Sequence, residues 1–149
     1  DVSKQALNWV ENNAQLNGVA DNVTCIQGDA FTVMEKLIEE GQLFDVVILD
    51  PPAFIPKRKD IPAGERAYQK LNQLGMRLLG SDGFLLSASC SMHLSESSLE
   101  RMLMQAGRHL ERHVQIIERG GQGPDHPVHP AIPETRYIKS LMCRVVLNQ

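Results

Sequence analysis

One segment constrains the fold more than any other: the apolar run FDVVIL at residues 44–49, which ends at an aspartate and two prolines. A run that is apolar on both faces is typical of a central strand in a parallel sheet, because helices cover both faces of such a sheet. The prolines lack backbone N–H donors and cannot extend the ladder. The segment therefore predicts an α/β domain in which Asp50 lies just beyond the carboxyl end of a buried strand.

The rest of the chain alternates between helix and strand patterns. Apolar residues at helical spacing predict four helices. The first begins at Ser3 and ends at Asn17-Gly18, and the second runs through Phe31, Met34 and Ile38 to Gly41. The third runs through Leu71, Leu74 and Leu78, and the fourth is capped by Ser95. Further strands are expected at 23–27, 84–89, 114–118 and 141–147, and residues 80–83 are expected to form a turn. The last two strands have no helix between them, which predicts an antiparallel pair at one edge of the sheet.

Length and composition exclude several classes of protein. The chain has 149 residues, which suits one domain, and its net charge of −3 is not that of a nucleic-acid coat. No apolar run approaches the roughly 18 residues of a membrane span. The three cysteines are widely spaced and form no CxxC pair, which favours a reducing, cytoplasmic setting. The histidine pairs do not complete a familiar zinc spacing, so no metal site is expected.

Polar groups follow the expected strand ends, where ligands bind in open α/β sheets. These groups are Asp1, Asp29, Asp50 and Cys90. Taken singly, three of them are better explained by a structural role: Asp1 as an extra cap near Ser3, Asp29 as a helix N-cap, and Cys90 as a small buried apolar residue. For Asp50 a functional role is favoured over a structural one, because it directly follows a buried strand.

Several segments together resemble successive motifs of the class I S-adenosylmethionine-dependent methyltransferases. The similarity is greatest to the bacterial 23S ribosomal RNA cytosine-5 methyltransferases of the RlmI type and covers essentially the whole chain. The segments are DVS (1–3), GDA (28–30), FDVVILDPPAF (44–54), RAYQKLN (66–72), SCS (89–91), DHPV (125–128), YIK (137–139) and CRV (143–145). The resemblance implies a Rossmann-like α/β sheet flanked by helices, with an antiparallel C-terminal edge pair.

The resemblance also implies roles for individual residues. Cys90 and Asp50 would be catalytic, with Cys90 as the nucleophile. S-adenosyl-L-methionine would be held by Asp1, at the ribose hydroxyls, together with Asp29, Ala30, Asp50 and Pro51. The RNA substrate would be contacted by Pro52, Phe54, Lys57, Arg58, Lys59, Arg66, Tyr68, Lys70 and His126. For the short run Lys57-Arg58-Lys59, a solvated loop is the competing interpretation.

The sequence departs from the family pattern in three respects. Ala53 replaces a lysine that many of these sequences carry after the prolines, and the second cysteine that some RNA cytosine-5 methyltransferases carry there is lacking. The first strand, its glycine-rich loop and the strand leading to Asp1 are also missing, as is an upstream RNA-binding PUA domain. We therefore expect residues 1–149 to be a partial methyltransferase domain that is inactive alone and binds the cofactor negligibly. Its open strand edges are expected either to pair with a second copy, as a homodimer, or to let the first strand and helix dock abnormally.

The function expected from these residues is formation of 5-methylcytosine in 23S ribosomal RNA, in the cytoplasm and without a membrane partner. Two alternatives stay open. The first is a base-nitrogen RNA methyltransferase, which needs no covalent catalysis because the acceptor nitrogen has its own lone pair. The second is a noncatalytic RNA-binding module that keeps the fold without turnover.

Overall fold

The computed structural model describes residues 1–148, which divide into an N-terminal unit of residues 1–41 and a C-terminal unit that begins at Gln42. In the N-terminal unit, helix α1 spans Lys4–Leu16. Its N-cap is Ser3, whose Oγ accepts a hydrogen bond from the Ala6 N–H at 3.2 Å. The helix ends at Asn17, and Gly18 follows with φ of 68°, a backbone conformation that glycine adopts without strain. The expected start and end of α1 are confirmed.

Helix α2 spans Ala30–Glu39 and is capped by Asp29. The expected strand at 23–27 is wrong, because these residues enter no sheet among the described ones. Their regular contacts are instead with the first residue: the Asp1 amino group donates to the Ile26 carbonyl at 3.0 Å, and the Gly28 N–H donates to the Asp1 carbonyl at 3.0 Å. A β-branched run needs a longer partner to form a ladder, and one residue does not provide it.

The C-terminal unit contains a four-stranded mixed sheet. Its strands are β1 (Phe44–Leu49), β2 (Leu79–Ser89), β3 (Arg112–Gly120) and β4 (Lys139–Leu147), in the order β1-β2-β4-β3. Strands β1 and β2 are parallel, whereas β4 is antiparallel to both β2 and β3. The α/β class and the antiparallel pair formed by the last two strands are confirmed.

Two helices cover one face of this sheet. Helix α3 (Ile61–Arg77) packs on β1 and β2, helix α4 (Glu96–His109) packs on β3 and β4, and the two helices contact each other. Their apolar sides and the inward positions of the strands form the core, which includes Leu49, Leu71, Leu74, Met76, Leu79, Leu85, Leu99, Met102, Leu103, Leu141, Cys143 and Val145. Short 3-10 turns lie at Ala20–Asn22, Arg58–Asp60 and Pro133–Thr135. None of the helices in residues 1–148 is long and apolar enough to cross a membrane.

Strand β1 has the open edge that was expected, but within the described residues it lacks the cover on both faces that is typical of a central strand. It is the outer strand of the described sheet, and only its α3-facing side is well buried, as at Leu49. Val46 and Ile48, on the opposite side, are 50% and 64% exposed. Within the part of the C-terminal unit that the structure describes, one strand and one helix pack on β1, and these cover one of its faces. Pairing of its free edge with a second copy remains a prediction.

The expected turn at 80–83 is also wrong, because these residues lie within β2. Phe44 pairs with Leu79 and Val46 pairs with Phe84, so two residue steps on β1 correspond to five on β2. The polar and glycine residues therefore form a bulge in the β1–β2 pairing, a position where glycine is common. A Cβ atom at Gly83 would lie 3.1 Å from the Asp45 carbonyl oxygen, which explains the small residue there.

The contact between α4 and β3 gives a testable prediction for the core. A Cβ atom at Gly107 would lie 2.6 Å from Val114 Cγ2 and 2.9 Å from the Arg112 carbonyl oxygen, and the backbone atom cannot move aside easily. We expect Gly107→Ala to lower the free energy of unfolding by about 1–3 kcal/mol through overpacking, although alanine favours a helix by about 1 kcal/mol. Urea unfolding followed by circular dichroism measures this change. Gln105→Ala, on the exposed side of α4, is the control and should be neutral or stabilising. Equal stability of the two variants would contradict the close packing.

Candidate active site

Two segments leave the sheet side by side at its carboxyl edge. Asp50 follows the end of β1, and Cys90 follows the end of β2. The strands are parallel neighbours with Leu49 paired to Ser87, so the two strands end within two residues of one another in register. Adjacent strands lie about 4.8 Å apart. The sheet therefore brings the loop that begins at Asp50 and the turn that contains Cys90 to the same edge.

A buried hydrogen-bond cluster joins these two segments. The Tyr68 hydroxyl, from α3, is hydrogen-bonded to Ser91 Oγ at 2.9 Å and accepts from Ser89 Oγ at 2.8 Å. The Ser91 N–H donates to Ser89 Oγ at 3.1 Å, and the Ile55 N–H donates to Ser91 Oγ at 3.2 Å. Tyr68, Ser89, Ser91 and Ile55 are each 1% exposed. The two serines that flank Cys90 are thus hydrogen-bonded within the protein interior, and one of them holds the loop after the prolines.

The loop after the prolines also packs closely on the first turn of α3. A Cβ atom at Gly64 would lie 2.7 Å from the Phe54 carbonyl oxygen, so a larger residue would displace the loop. The Phe54 ring lies over Tyr68, with ring centroids 4.8 Å apart and planes tilted by 55°. Pro52 is exposed and Pro51 is half-buried. One side of the loop thus packs against Gly64 and Tyr68 of α3, while Asp50 and Pro52 are exposed.

The environments of the three cysteines separate them chemically. Cys143 lies inside the core, and burial raises the pKa of its thiol to about 11, which keeps it protonated and unreactive at neutral pH. Cys90 is half-buried at the sheet edge, and Cys25 is half-buried in the N-terminal unit. In the C-terminal unit, Cys90 is therefore the more exposed of the two cysteines.

Lys139 is a functional candidate that the sequence analysis did not single out. It is the first residue of β4, pairs directly with Ser89, and is 9% exposed. Its ammonium group donates to the Ser91 carbonyl oxygen at 2.7 Å. Burial lowers the pKa of Lys139, while the negative charges of Cys90 and Glu96 act in the opposite direction. The sequence does contain a signal for this residue: Lys139 stands at an inward position of the alternating segment KSLMCRVVL. Lysine is rarely buried without a partner, so such a position indicates a special role.

The N-terminal unit holds the other expected cofactor residues. The backbone contact between Asp1 and Gly28 places Asp1 beside the segment that leads to Asp29 and Ala30. Asp1 Oδ1 accepts from the Ser3 N–H at 2.7 Å, and Asp29 Oδ1 accepts from the Thr32 N–H at 3.1 Å. Both aspartates therefore act as caps, the structural alternative considered for each. Both aspartates are exposed, and each cap uses the Oδ1 atom of the carboxylate.

The basic residues expected to contact RNA lie on the surface of the C-terminal unit. Lys57, Arg58 and Lys59 are exposed at the 3-10 turn before α3, and Arg66 and Lys70 are exposed one turn apart on α3. Spacing of four residues places the last two on one side of the helix. The five cations therefore belong to two consecutive elements that begin just after the DPP loop.

The two other expected substrate contacts, Tyr68 and His126, lie in different environments. Tyr68 is enclosed by protein, and its hydroxyl is bound to Ser89 and Ser91, so in this structure it offers no surface to RNA. The tyrosine ring was expected at the surface because the sequence does not reveal which serines its hydroxyl meets. His126 is exposed in the loop after β3, with Nδ1 3.1 Å from Asp125 Oδ2. No group of three or more His, Cys, Asp or Glu side chains within residues 1–148 could hold a metal ion.

Comparison with known proteins agrees with this architecture. Residues 1–143 match the family model described as RNA cap guanine-N2 methyltransferase. Ribosomal RNA large subunit methyltransferase I of Photobacterium profundum is 36% identical over 146 residues, which are 97% of this chain and 37% of that protein. The chain thus spans little more than a third of that relative's length.

Two solved structures share the fold. A structure of SMU.776 complexed with SAH has a TM-score of 0.76 at 15% identity, over 97% of this chain and 37% of that one. NSun6 from Pyrococcus horikoshii with SFG has a TM-score of 0.69 at 21% identity, over 99% of this chain and 41% of that one. The Rossmann-like methyltransferase fold and the resemblance to the ribosomal RNA large subunit methyltransferases I are confirmed. The match over residues 1–143 shows that the chain belongs to the family described as RNA cap guanine-N2 methyltransferase, within the class I S-adenosylmethionine-dependent methyltransferases.

Proposed function

We propose that this chain belongs to an enzyme that forms 5-methylcytosine in large-subunit ribosomal RNA through a covalent cysteine adduct. The observation that carries the proposal is the position of Cys90, which is half-buried at the carboxyl end of β2, beside the Asp50 loop at the end of β1. Ribosomal RNA large subunit methyltransferase I of P. profundum, at 36% identity, supports the RNA substrate and a cytoplasmic setting.

S-adenosyl-L-methionine is the proposed cofactor, and it supplies an electrophilic methyl group when bound. Asp1 and Asp29 fit it, because each is exposed and carboxylates accept hydrogen bonds from hydroxyl and amino groups. In our proposal Asp1 binds the ribose hydroxyls, Asp29 and Ala30 bind the adenine, and Asp50 and Pro51 border the methyl group. SAH, the demethylated form of this cofactor, is bound to the structural neighbour SMU.776.

Cys90 would overcome the low nucleophilicity of cytosine carbon 5. The Cys90 thiolate adds to carbon 6, and the displaced electrons make carbon 5 enamine-like and able to accept a methyl group. When the proton on carbon 5 is lost, the carbon 5–carbon 6 double bond reforms and Cys90 leaves as a thiolate. A thiolate suits both steps, because it is a strong nucleophile and a good leaving group.

Asp50 would bind the N3/N4 edge of the cytosine. As a carboxylic acid toward N3 it would stabilise the negative charge that develops in the ring during thiolate addition. The target base must leave its stack to reach this edge of the sheet, so a loop or a flipped nucleotide is the expected substrate. Pro52, Phe54 and His126 would border the base, and the five exposed cations would bind RNA phosphates.

A second function from the same fold is methylation of a base nitrogen without covalent catalysis. The family description, RNA cap guanine-N2 methyltransferase, favours it, and a DPP segment serves nitrogen acceptors as well. Such a reaction would not need Cys90. A noncatalytic RNA-binding module is the third possibility, and failure of the full-length protein to bind S-adenosylmethionine would favour that reading.

The first functional prediction separates these reactions through Cys90. In the full-length protein, we expect Cys90→Ala to lower methylation of ribosomal RNA by about a thousandfold or more, because the covalent nucleophile is removed. Cofactor binding, measured by isothermal titration, should be nearly unchanged. Cys25→Ala is the matched control and should keep its activity. Normal turnover by Cys90→Ala would exclude the covalent mechanism and favour a nitrogen acceptor.

The second functional prediction concerns Asp50. We expect Asp50→Asn to slow the chemical step by about a hundredfold or more while RNA affinity changes little, because the carboxyl group acts mainly in the transition state. Single-turnover methylation with bound RNA measures the chemical step, and filter binding measures affinity. Weaker RNA binding combined with a normal single-turnover rate would show that the catalytic assignment is wrong.

The third functional prediction concerns the run Lys57-Arg58-Lys59. Replacing the three cations with alanines should weaken RNA binding and flatten its dependence on salt concentration, because fewer counterions are released from the phosphates. Lys36→Ala, which removes an exposed cation outside the proposed surface, is the control. If the dependence of RNA binding on salt concentration equals that of the unmodified protein, the run is a solvated loop that does not contact RNA.

A further inference from the structure

Lys139 is held at the proposed active site by three features of the C-terminal unit. Its backbone is the register partner of Ser89 across β2 and β4, so its side chain starts on the same face of the sheet as Ser89. Its ammonium group reaches past Ser89 to the Ser91 carbonyl at 2.7 Å. Cys90 lies between these two serines in the chain. The lysine is therefore hydrogen-bonded to Ser91, the residue that directly follows the proposed nucleophile.

The burial of this ammonium group requires an explanation. Lys139 is 9% exposed, and an ammonium group away from water is stable only when it is hydrogen-bonded and paired with negative charge. The negative charges that act on it are those of Cys90, at the end of β2, and Glu96, at the start of α4. Glu96 also forms an ion pair with Arg119 of β3 at 2.5 Å, so it is shared between two cations. The other group that can carry a negative charge beside Lys139 is Cys90, when its thiol is ionised.

We propose that Lys139 is a positioning residue for Cys90, whose buried ammonium group fixes the Ser89–Ser91 turn and stabilises Cys90 as a thiolate. This inference rests on the proposed function of Cys90 and extends it to a group that activates the nucleophile. The coupling is reciprocal, because a thiolate that stabilises a nearby ammonium group is stabilised by it to the same extent. Cations next to a cysteine are a common means of producing a reactive thiolate.

The role of Lys139 in the reaction is electrostatic. The ammonium group keeps its proton while the Cys90 sulfur forms its bond to carbon 6 and again when that bond breaks. It favours the thiolate before addition and after departure. Because burial lowers the pKa of Lys139, the positive charge is present at low pH and is lost when the pH rises through that lowered value.

The test measures the reactivity of Cys90 directly, in the full-length protein and without RNA or cofactor. Iodoacetamide alkylation of Cys90 is followed by mass spectrometry as a function of pH in a Cys25→Ser background, since Cys143 is buried. We expect Lys139→Met to move the midpoint of the rate profile to higher pH by about one unit, and to slow alkylation at pH 7 about tenfold. Lys139→Arg keeps the charge and should stay within about threefold of the unmodified protein.

Two further variants keep the test decisive. Lys139→Gln retains a donor for the Ser91 carbonyl without the charge; it should shift the midpoint as Lys139→Met does, and it serves if the methionine variant does not fold. Lys36→Met removes an exposed lysine that pairs with Glu40 at 3.7 Å, and should leave the midpoint unchanged. An unchanged midpoint in a folded Lys139→Gln or Lys139→Met protein would overturn the proposal. Since alkylation needs no methyl transfer, this result is distinct from failure of the covalent mechanism, which active Cys90→Ala would reveal.

Discussion

The hydrogen-bond cluster around the Tyr68 hydroxyl is the interaction on which the proposed site depends. It joins α3, the end of β2 and the loop after β1, three segments that are far apart in the chain. Buried hydroxyl groups cost free energy unless they are paired, and here each hydroxyl has a partner inside the cluster. A cluster of this kind is satisfied in one arrangement, because moving the turn by one residue would leave several polar groups unpaired. The core elements could tolerate other apolar contacts, whereas the position of Cys90 relative to the Asp50 loop depends on these bonds.

Much of the fold could be predicted from the sequence because local signals and tertiary structure agree there. The helix caps at Ser3, Asp29 and Ser95 accept the expected backbone N–H groups, and the alternation in the last strand matches its buried positions. The failures share one cause. The segment 23–27 has strand composition but no ladder, and the residues 80–83 have turn composition but continue a strand. In both cases the neighbouring segment decides the structure, and the neighbour is not encoded in the local pattern.

The site shows the same division between local and nonlocal information. Asp50 and Cys90 could be placed at strand ends because a buried run followed by a polar residue is visible in the sequence. The contact of Lys139 with the Ser91 carbonyl depends on the pairing of β2 with β4, which brings together residues 48 positions apart. The inward position of Tyr68 depends on the packing of α3 beside the end of β2. A tyrosine among charged residues on α3 gives no sign of the serines it will meet. Residues that bind a substrate were thus easier to propose than the residues that hold them in place.

The two thiols of the C-terminal unit show how one sheet can make a cysteine inert or available. Cys143 lies in the middle of β4, where its neighbours are apolar and burial raises its pKa to about 11. Cys90 lies one residue past the end of β2, where the strand has left the core and a buried lysine enters from the adjacent strand. The apolar interior penalises a thiolate at Cys143, whereas the role proposed for Lys139 is to favour one at Cys90. Chemical reactivity in this fold therefore follows from where a strand stops, and the same residue type a few positions deeper would serve only the core.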